Sequence, residues 1–101
     1  MPLGRLEVTD ALGRRVVPLE KSTFSIGRRS GNDLQLVGSD VSRDHADITR
    51  ENEQYMLRDR GSRYGTFVNG EQISERQLAD GDRIRLGRTE QIELEIGRAH
   101  V

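Results

Sequence analysis

The chain has 101 residues, a formal net charge of −1, 33% apolar and 33% charged residues, and no cysteine. That length suits one domain rather than two, the absence of cysteine excludes a disulfide framework and a thiolate metal site, and the balanced charge argues against a general nucleic-acid binder. No apolar run is long enough to cross a bilayer and the first residues carry no secretory pattern, so the expectation is a cytoplasmic protein without membrane insertion.

Leu6 and Val8 alternate with Glu7 and Thr9, the period of a half-buried strand. Asp10-Ala11-Leu12-Gly13 reads as a turn and Arg14 to Leu19 as the return strand, with Pro18 placing that strand at an edge or at its end. Phe24 and Ile26 flank Ser25 and lead into Gly27-Arg28-Arg29-Ser30. Asn32-Asp33 opens a short strand in which Leu34 and Leu36 face inward around Gln35, and Val37 to Ser42 forms a loop. From His45 the alternation resumes with Ala46 and Ile48 on one face and Asp47 and Thr49 on the other. Glu51-Asn52-Glu53 turns the chain, and Tyr55 and Leu57 then alternate with Met56 and Arg58.

Asp59 to Gly70 leaves one strand, crosses a polar loop and re-enters a strand at Thr66. It ends at Asn69-Gly70, a pair suited to a type I′ hairpin. Ser74 to Ala79 reads as irregular, either a short helical turn or a twisted edge. Asp80-Gly81-Asp82 is a tight turn before Ile84 and Leu86, and Ile92, Leu94 and Ile96 form the last strand. Helical spacing is nowhere sustained, and turn signals recur roughly every eight to twelve residues, which predicts an all-β, two-sheet antiparallel sandwich. Residues 1–101 are read as a single domain with a core from about residue 4 to about 96 and a tail over 97–101.

Ser42, His45 and Asp59 supply the residue types of a hydrolase triad. Ser42 sits in no Gly-x-Ser-x-Gly elbow, however, and a histidine that satisfies its own loop is the better reading. His45 and His100 with scattered carboxylates show no metal-ligand spacing, so no metal is expected. The Gly27 to Gly31 loop lacks the Gly-Lys-Ser/Thr ending of a nucleotide-binding loop and precedes a strand. No enzyme and no cofactor follow. Aromatic residues, at 4%, leave few platforms for stacked bases, so nucleic acid is not expected as a partner.

Alone, Gly27-Arg28 is a turn followed by a solvated arginine, and Ser42-Arg43-Asp44-His45 is a polar loop entering a strand. If the loops converge, Arg28, Ser42 and Arg63 together offer charge-assisted donors for a dianion. Lys21 is the only lysine, and the planar fork of arginine suits phosphate. Over the whole chain the same bias fits a GC-rich bacterial source.

Gly27-Arg28, then Ser42-Arg43-Asp44-His45-Ala46, then Asp59 to Gly70, followed by the Leu78 to Gly87 run, resemble a forkhead-associated (FHA) domain over essentially the whole chain. The resemblance implies an FHA/SMAD-like β-sandwich with binding loops at one end, acting as a phosphothreonine-dependent peptide- or protein-binding module in intracellular signalling. It implies Arg28 and Ser42 as phosphate ligands, with Arg63 adding a contact. Arg43 and Tyr64 would flank the peptide, and Gly27, His45, Gly65 and Thr66 would support the loops. Tyr64 stands where many members carry an asparagine that clamps the ligand backbone. Tyrosine offers one hydroxyl rather than an amide's paired donor and acceptor. The implied partner is a phosphothreonine-containing protein or peptide, either a kinase substrate or another part of the same polypeptide. The alternative is a phosphate-independent interaction scaffold on the same fold.

Overall fold

A computed structural model describes residues 4–88 and 91–98. Eleven strands run in chain order: β1 (Gly4–Asp10), β2 (Gly13–Pro18), β3 (Thr23–Gly27), β4 (Leu34–Gln35), β5 (Ala46–Glu51), β6 (Gln54–Asp59), β7 (Thr66–Val68), β8 (Glu71–Ile73), β9 (Glu75–Leu78), β10 (Arg83–Leu86) and β11 (Glu93–Arg98). They form a six-stranded sheet in the order β2-β1-β11-β10-β7-β8 and a five-stranded sheet in the order β4-β3-β5-β6-β9. Among the described residues there is no helix, and therefore none long and apolar enough to cross a membrane.

Register explains why the two sheets stack. Residues directly opposite on neighbouring strands share a face. In the first sheet Val8 lies opposite Leu94, Leu94 opposite Ile84, and Ile84 opposite Val68, so one apolar row crosses four strands. In the second, Phe24 lies opposite Ile48 and Ile48 opposite Leu57. All seven side chains are buried, and they form the core together with Leu6, Ile26, Leu86 and Ile96. An ion pair links an edge strand of one sheet to an edge strand of the other. Glu71 of β8 and Arg76 of β9 stand opposite the buried Val68 and Leu57, and Arg76 Nη2 meets Glu71 Oε1 at 3.1 Å.

Of the three two-residue hairpin turns among the described residues, two have the backbone of type I′, and Ala11-Leu12 between β1 and β2, with no positive φ, is the exception. Asn52 and Glu53 have φ of 50° and 70°, and Asn69 and Gly70 have 51° and 84°. Pro18 ends β2, an edge strand, as the missing N–H requires. Of the two readings of Ser74 to Ala79 the edge holds and the helical turn does not, with residues 75–78 forming a regular strand against β6. Two features depart from the sequence reading. β4 pairs with β3 in parallel, the one exception to antiparallel pairing among the described residues. Gly97 and Arg98 belong to β11, opposite Arg5 and Gly4, and are not a tail; the rest of that predicted tail, 99–101, lies outside the described residues.

Ile84 is fully buried at the middle of the four-strand row. Ile84→Ala is therefore expected to lower unfolding free energy by about 2–5 kcal/mol, seen as a lower urea midpoint at unchanged m-value.

Candidate functional site

Four connections meet at one end of the sandwich: 28–33 after β3, 36–45 before β5, 60–65 after β6, and the end of β10. Gly27 finishes β3 where a side chain has no room, because a Cβ there would land inside the contact distance of the Arg43 carbonyl oxygen. That close approach lets the Arg28 N–H donate to the Ser42 carbonyl at 2.9 Å, while Arg29 donates to the Arg43 carbonyl at 3.3 Å. The Arg28 carbonyl in turn accepts from the Gln35 side chain at 3.1 Å. The Arg28 backbone is thus held from both sides.

Ser42 is the junction. Its carbonyl receives Arg28, its own N–H donates to His45 Nδ1 at 3.0 Å, and its Oγ accepts the Arg63 N–H at 3.0 Å. With that lone pair engaged, the hydroxyl hydrogen remains available to donate. Arg28 and Arg63, far apart in sequence, are therefore both bonded to one serine. Their side chains are exposed, as is that of Arg43, and none of the three meets a carboxylate among the described residues. Tyr64 is half-buried beside them, with the Arg63 guanidinium carbon 5.4 Å from its ring centroid.

His45 holds the arrangement from beneath. It is fully buried, and its Nε2 lies 2.9 Å from the Gly65 carbonyl. Since Nδ1 accepts and a carbonyl can only accept, the ring is neutral with its proton on Nε2. Burial pushes its pKa below the ordinary 6.5, outweighing the hydrogen bond to Gly65 and the nearby Asp59 and Asp40, which act the other way. Its backbone also serves, donating to Ile26 and accepting from Arg60, each at 2.9 Å.

The loop after β6 is organised by Asp59. Its Oδ2 accepts from the N–H groups of Gly61 and Ser62, its Oδ1 accepts from the hydroxyls of Ser62 and Thr66, and Ser62 Oγ accepts the Gly65 N–H. Burial alone would raise the Asp59 pKa, yet these hydrogen bonds hold it below 3.8. Gly65 has φ of +90°, a backbone conformation that favours glycine.

The structure brings Arg28, Ser42, Arg63, Arg43 and Tyr64 to one rim and sets Gly27, His45, Gly65 and Thr66 beneath it. It does not assemble a triad. His45 Nδ1 faces the Ser42 amide rather than its Oγ, and Asp59 is occupied by its own loop. Two supports are missing from the sequence reading. Asn32 Nδ2 bridges the Arg43 and Arg29 carbonyls at 2.7 and 3.1 Å, and no local signal announces a partner eleven residues away. The scaffolding role of Asp59 does carry a local signal, an aspartate bonding the amides two and three residues on.

Because folded His45 resists protonation, the unfolded chain takes up a proton that the folded chain does not between the folded pKa and 6.5. Stability is expected to be full above pH 6.5 and to fall as pH drops below it, by no more than about 1.4 kcal/mol per pH unit. His45→Asn should flatten that slope between pH 7 and 5, measured by urea denaturation at each pH. A wild-type slope no steeper than the variant's contradicts the assignment.

Comparison with known proteins adds a consistent picture. The FHA domain family model matches residues 24–87. The chain is 37% identical over 70 residues to the glycogen accumulation regulator GarA of Mycobacterium tuberculosis, covering 69% of this chain and 43% of that protein. It is 39% identical over 70 residues to an oxoglutarate dehydrogenase inhibitor of Corynebacterium jeikeium, covering 69% of this chain and 49% of that one. The chain thus spans about half or less of the length of these curated relatives. A solved structure from a study of phosphothreonine-dependent FHA domain interactions superposes with a TM-score of 0.86 at 33% identity, covering 98% of this chain and 99% of the other. With more than half its length matched by the family, and with its two-sheet sandwich shared by a solved member, this chain belongs to the FHA domain family.

Proposed function

We propose that the chain is a phosphothreonine-dependent protein-interaction module that carries no catalysis of its own. The observation that supports this best is the Ser42 junction, which ties the Arg28 amide to its carbonyl and the Arg63 amide to its hydroxyl and leaves both arginine side chains exposed and without carboxylate partners among the described residues. Such a cluster is a standing demand for an anion. In this reading Arg28 and Ser42 ligate the phosphoryl oxygens and Arg63 reinforces them. Arg43 and Tyr64 meet the residues that flank the phosphothreonine, while Gly27, His45, Gly65 and Thr66 keep the loops in place. The related structure from work on phosphothreonine-dependent interactions favours a phosphopeptide over a free anion. The partner is then a phosphorylated protein, either a kinase substrate or another segment of the same polypeptide, and the setting is the cytoplasm, where kinases and ATP supply the modification.

Catalysis finds no support at this rim. A serine whose hydroxyl is not aligned with an imidazole has no general base, and a neutral histidine with both nitrogens engaged has no free site for a proton.

Each charge-assisted hydrogen bond contributes about 1.5–3 kcal/mol, so Arg28→Ala is expected to weaken phosphothreonine-peptide binding roughly 10- to 150-fold without changing the thermal midpoint appreciably. Fluorescence anisotropy with phosphorylated and unphosphorylated versions of one peptide measures it. Equal affinity for both versions defeats the proposal and leaves a phosphate-independent scaffold as the reading. Affinity should also decline as pH falls through about 6, where the phosphate dianion gains a proton.

A further inference from the structure

We propose that Arg88 is a specificity-determining residue that selects a second anionic group, a carboxylate or a phosphoryl group, close to the phosphothreonine of the bound peptide. This rests on the phosphopeptide reading above and deepens it. Arg88 lies one residue past the segment matched by the family, 24–87, so the family match assigns it no role.

Three observations place Arg88 on the binding rim. Its guanidinium carbon sits 3.9 Å from the centroid of the Tyr64 ring, whose other cationic neighbour is Arg63 at 5.4 Å. One phenol at a peptide-flanking position therefore carries two cations. Its backbone is fixed: the Arg88 N–H donates to Asp40 Oδ2 at 2.8 Å, and the preceding Gly87 N–H donates to the Gly65 carbonyl at 2.9 Å, the same carbonyl that His45 engages. Gly87 has φ of +80° and approaches Asp40 so closely that a Cβ there would clash with it. Finally, the side chain is 68% exposed despite this anchoring.

The chemistry follows from that geometry. A guanidinium lying over a ring keeps its in-plane N–H groups free for a carboxylate or phosphate. Asp40 does not saturate it, since its side-chain contact is through Nε alone and at 3.5 Å, the outer limit of a hydrogen bond. Asp40 and Tyr64 act as positioning residues that hold the fork in place. Charge balance points the same way. Among the described residues Arg28, Arg43 and Arg63 meet no carboxylate, and a phosphoryl group brings a charge of about −1.5 to −2, so the rim stays cationic once the phosphate is seated. A second anion within reach of Arg88 completes the neutralisation.

The test is an anisotropy titration of phosphothreonine peptides with an alanine background. Glutamate, phosphoserine or lysine is placed singly at each position within four residues of the phosphothreonine. The expected result is at least one position where glutamate improves affinity about three- to tenfold over alanine, with the preference shrinking at high salt. The phosphoserine arm shows whether a second phosphorylation serves better than a carboxylate. Arg88→Ala should bind the glutamate peptide no better than the alanine one, and Arg88→Glu should prefer lysine at that position. Wild-type protein that binds the phosphothreonine peptides with no anionic preference anywhere overturns this inference alone, as does a preference that survives Arg88→Ala. Absence of binding to every phosphothreonine peptide overturns the phosphopeptide reading itself.

Discussion

A neutral, fully buried imidazole joins the three loops of this domain. His45 accepts an amide proton from Ser42 on one side and donates to the Gly65 carbonyl on the other, while its own backbone bonds Ile26 and Arg60. Ser42 lies on the connection before β5, Gly65 and Arg60 on the one after β6, and Ile26 in the strand that leads into the third, so one residue sets the distance between them. A buried amide or carbonyl left without a partner costs about 1–3 kcal/mol, which makes the arrangement stiff. That stiffness suits recognition, because donors that are already in place lose little freedom when a ligand arrives.

The loops spend their backbone polar groups on each other and keep their side-chain cations for solvent. Ser42 uses its N–H, carbonyl and one oxygen lone pair internally, Asn32 bridges two carbonyls, and Asp59 gathers four donors within its own loop. Carboxylates nearby are largely committed: Asp44 pairs with Arg29, and Asp47 with Arg60. Among the described residues Arg28, Arg43 and Arg63 are left over, which concentrates positive charge at the rim of a chain whose net charge is only −1. The electrostatic character of the site thus arises from local distribution and could not be inferred from the total.

The same residues show why chemical type alone does not define a function. Serine, histidine and aspartate lie near one another here, as they do in hydrolases, yet the hydrogen bonds run along the wrong atoms. The imidazole faces an amide and the carboxylate faces its own turn. What distinguishes a binding rim from a catalytic line is which lone pair meets which proton.

Much of the fold was legible in the chain. Alternation at Leu6-Val8, Phe24-Ile26 and Ile84-Leu86 marked inward faces, Asn69-Gly70 marked a type I′ turn, and the ordered loop motifs marked the family, because all of these are local patterns of period, φ preference and spacing. Segments with weak local pattern were not legible. β4 is too short to declare its parallel pairing, and β9 carries an inward arginine that breaks alternation because its partner, Glu71, lies on the opposite sheet. The support from Asn32 and the contact of Arg88 with Tyr64 were likewise hidden. By itself, then, the sequence determined the sandwich, its turns and the residue types at its rim. Only the tertiary structure decided that Ser42 joins Arg28 to Arg63 and that Arg88 comes to lie over Tyr64, since hydrogen bonds and ring contacts between distant segments depend on how two sheets stack, and no local pattern encodes that.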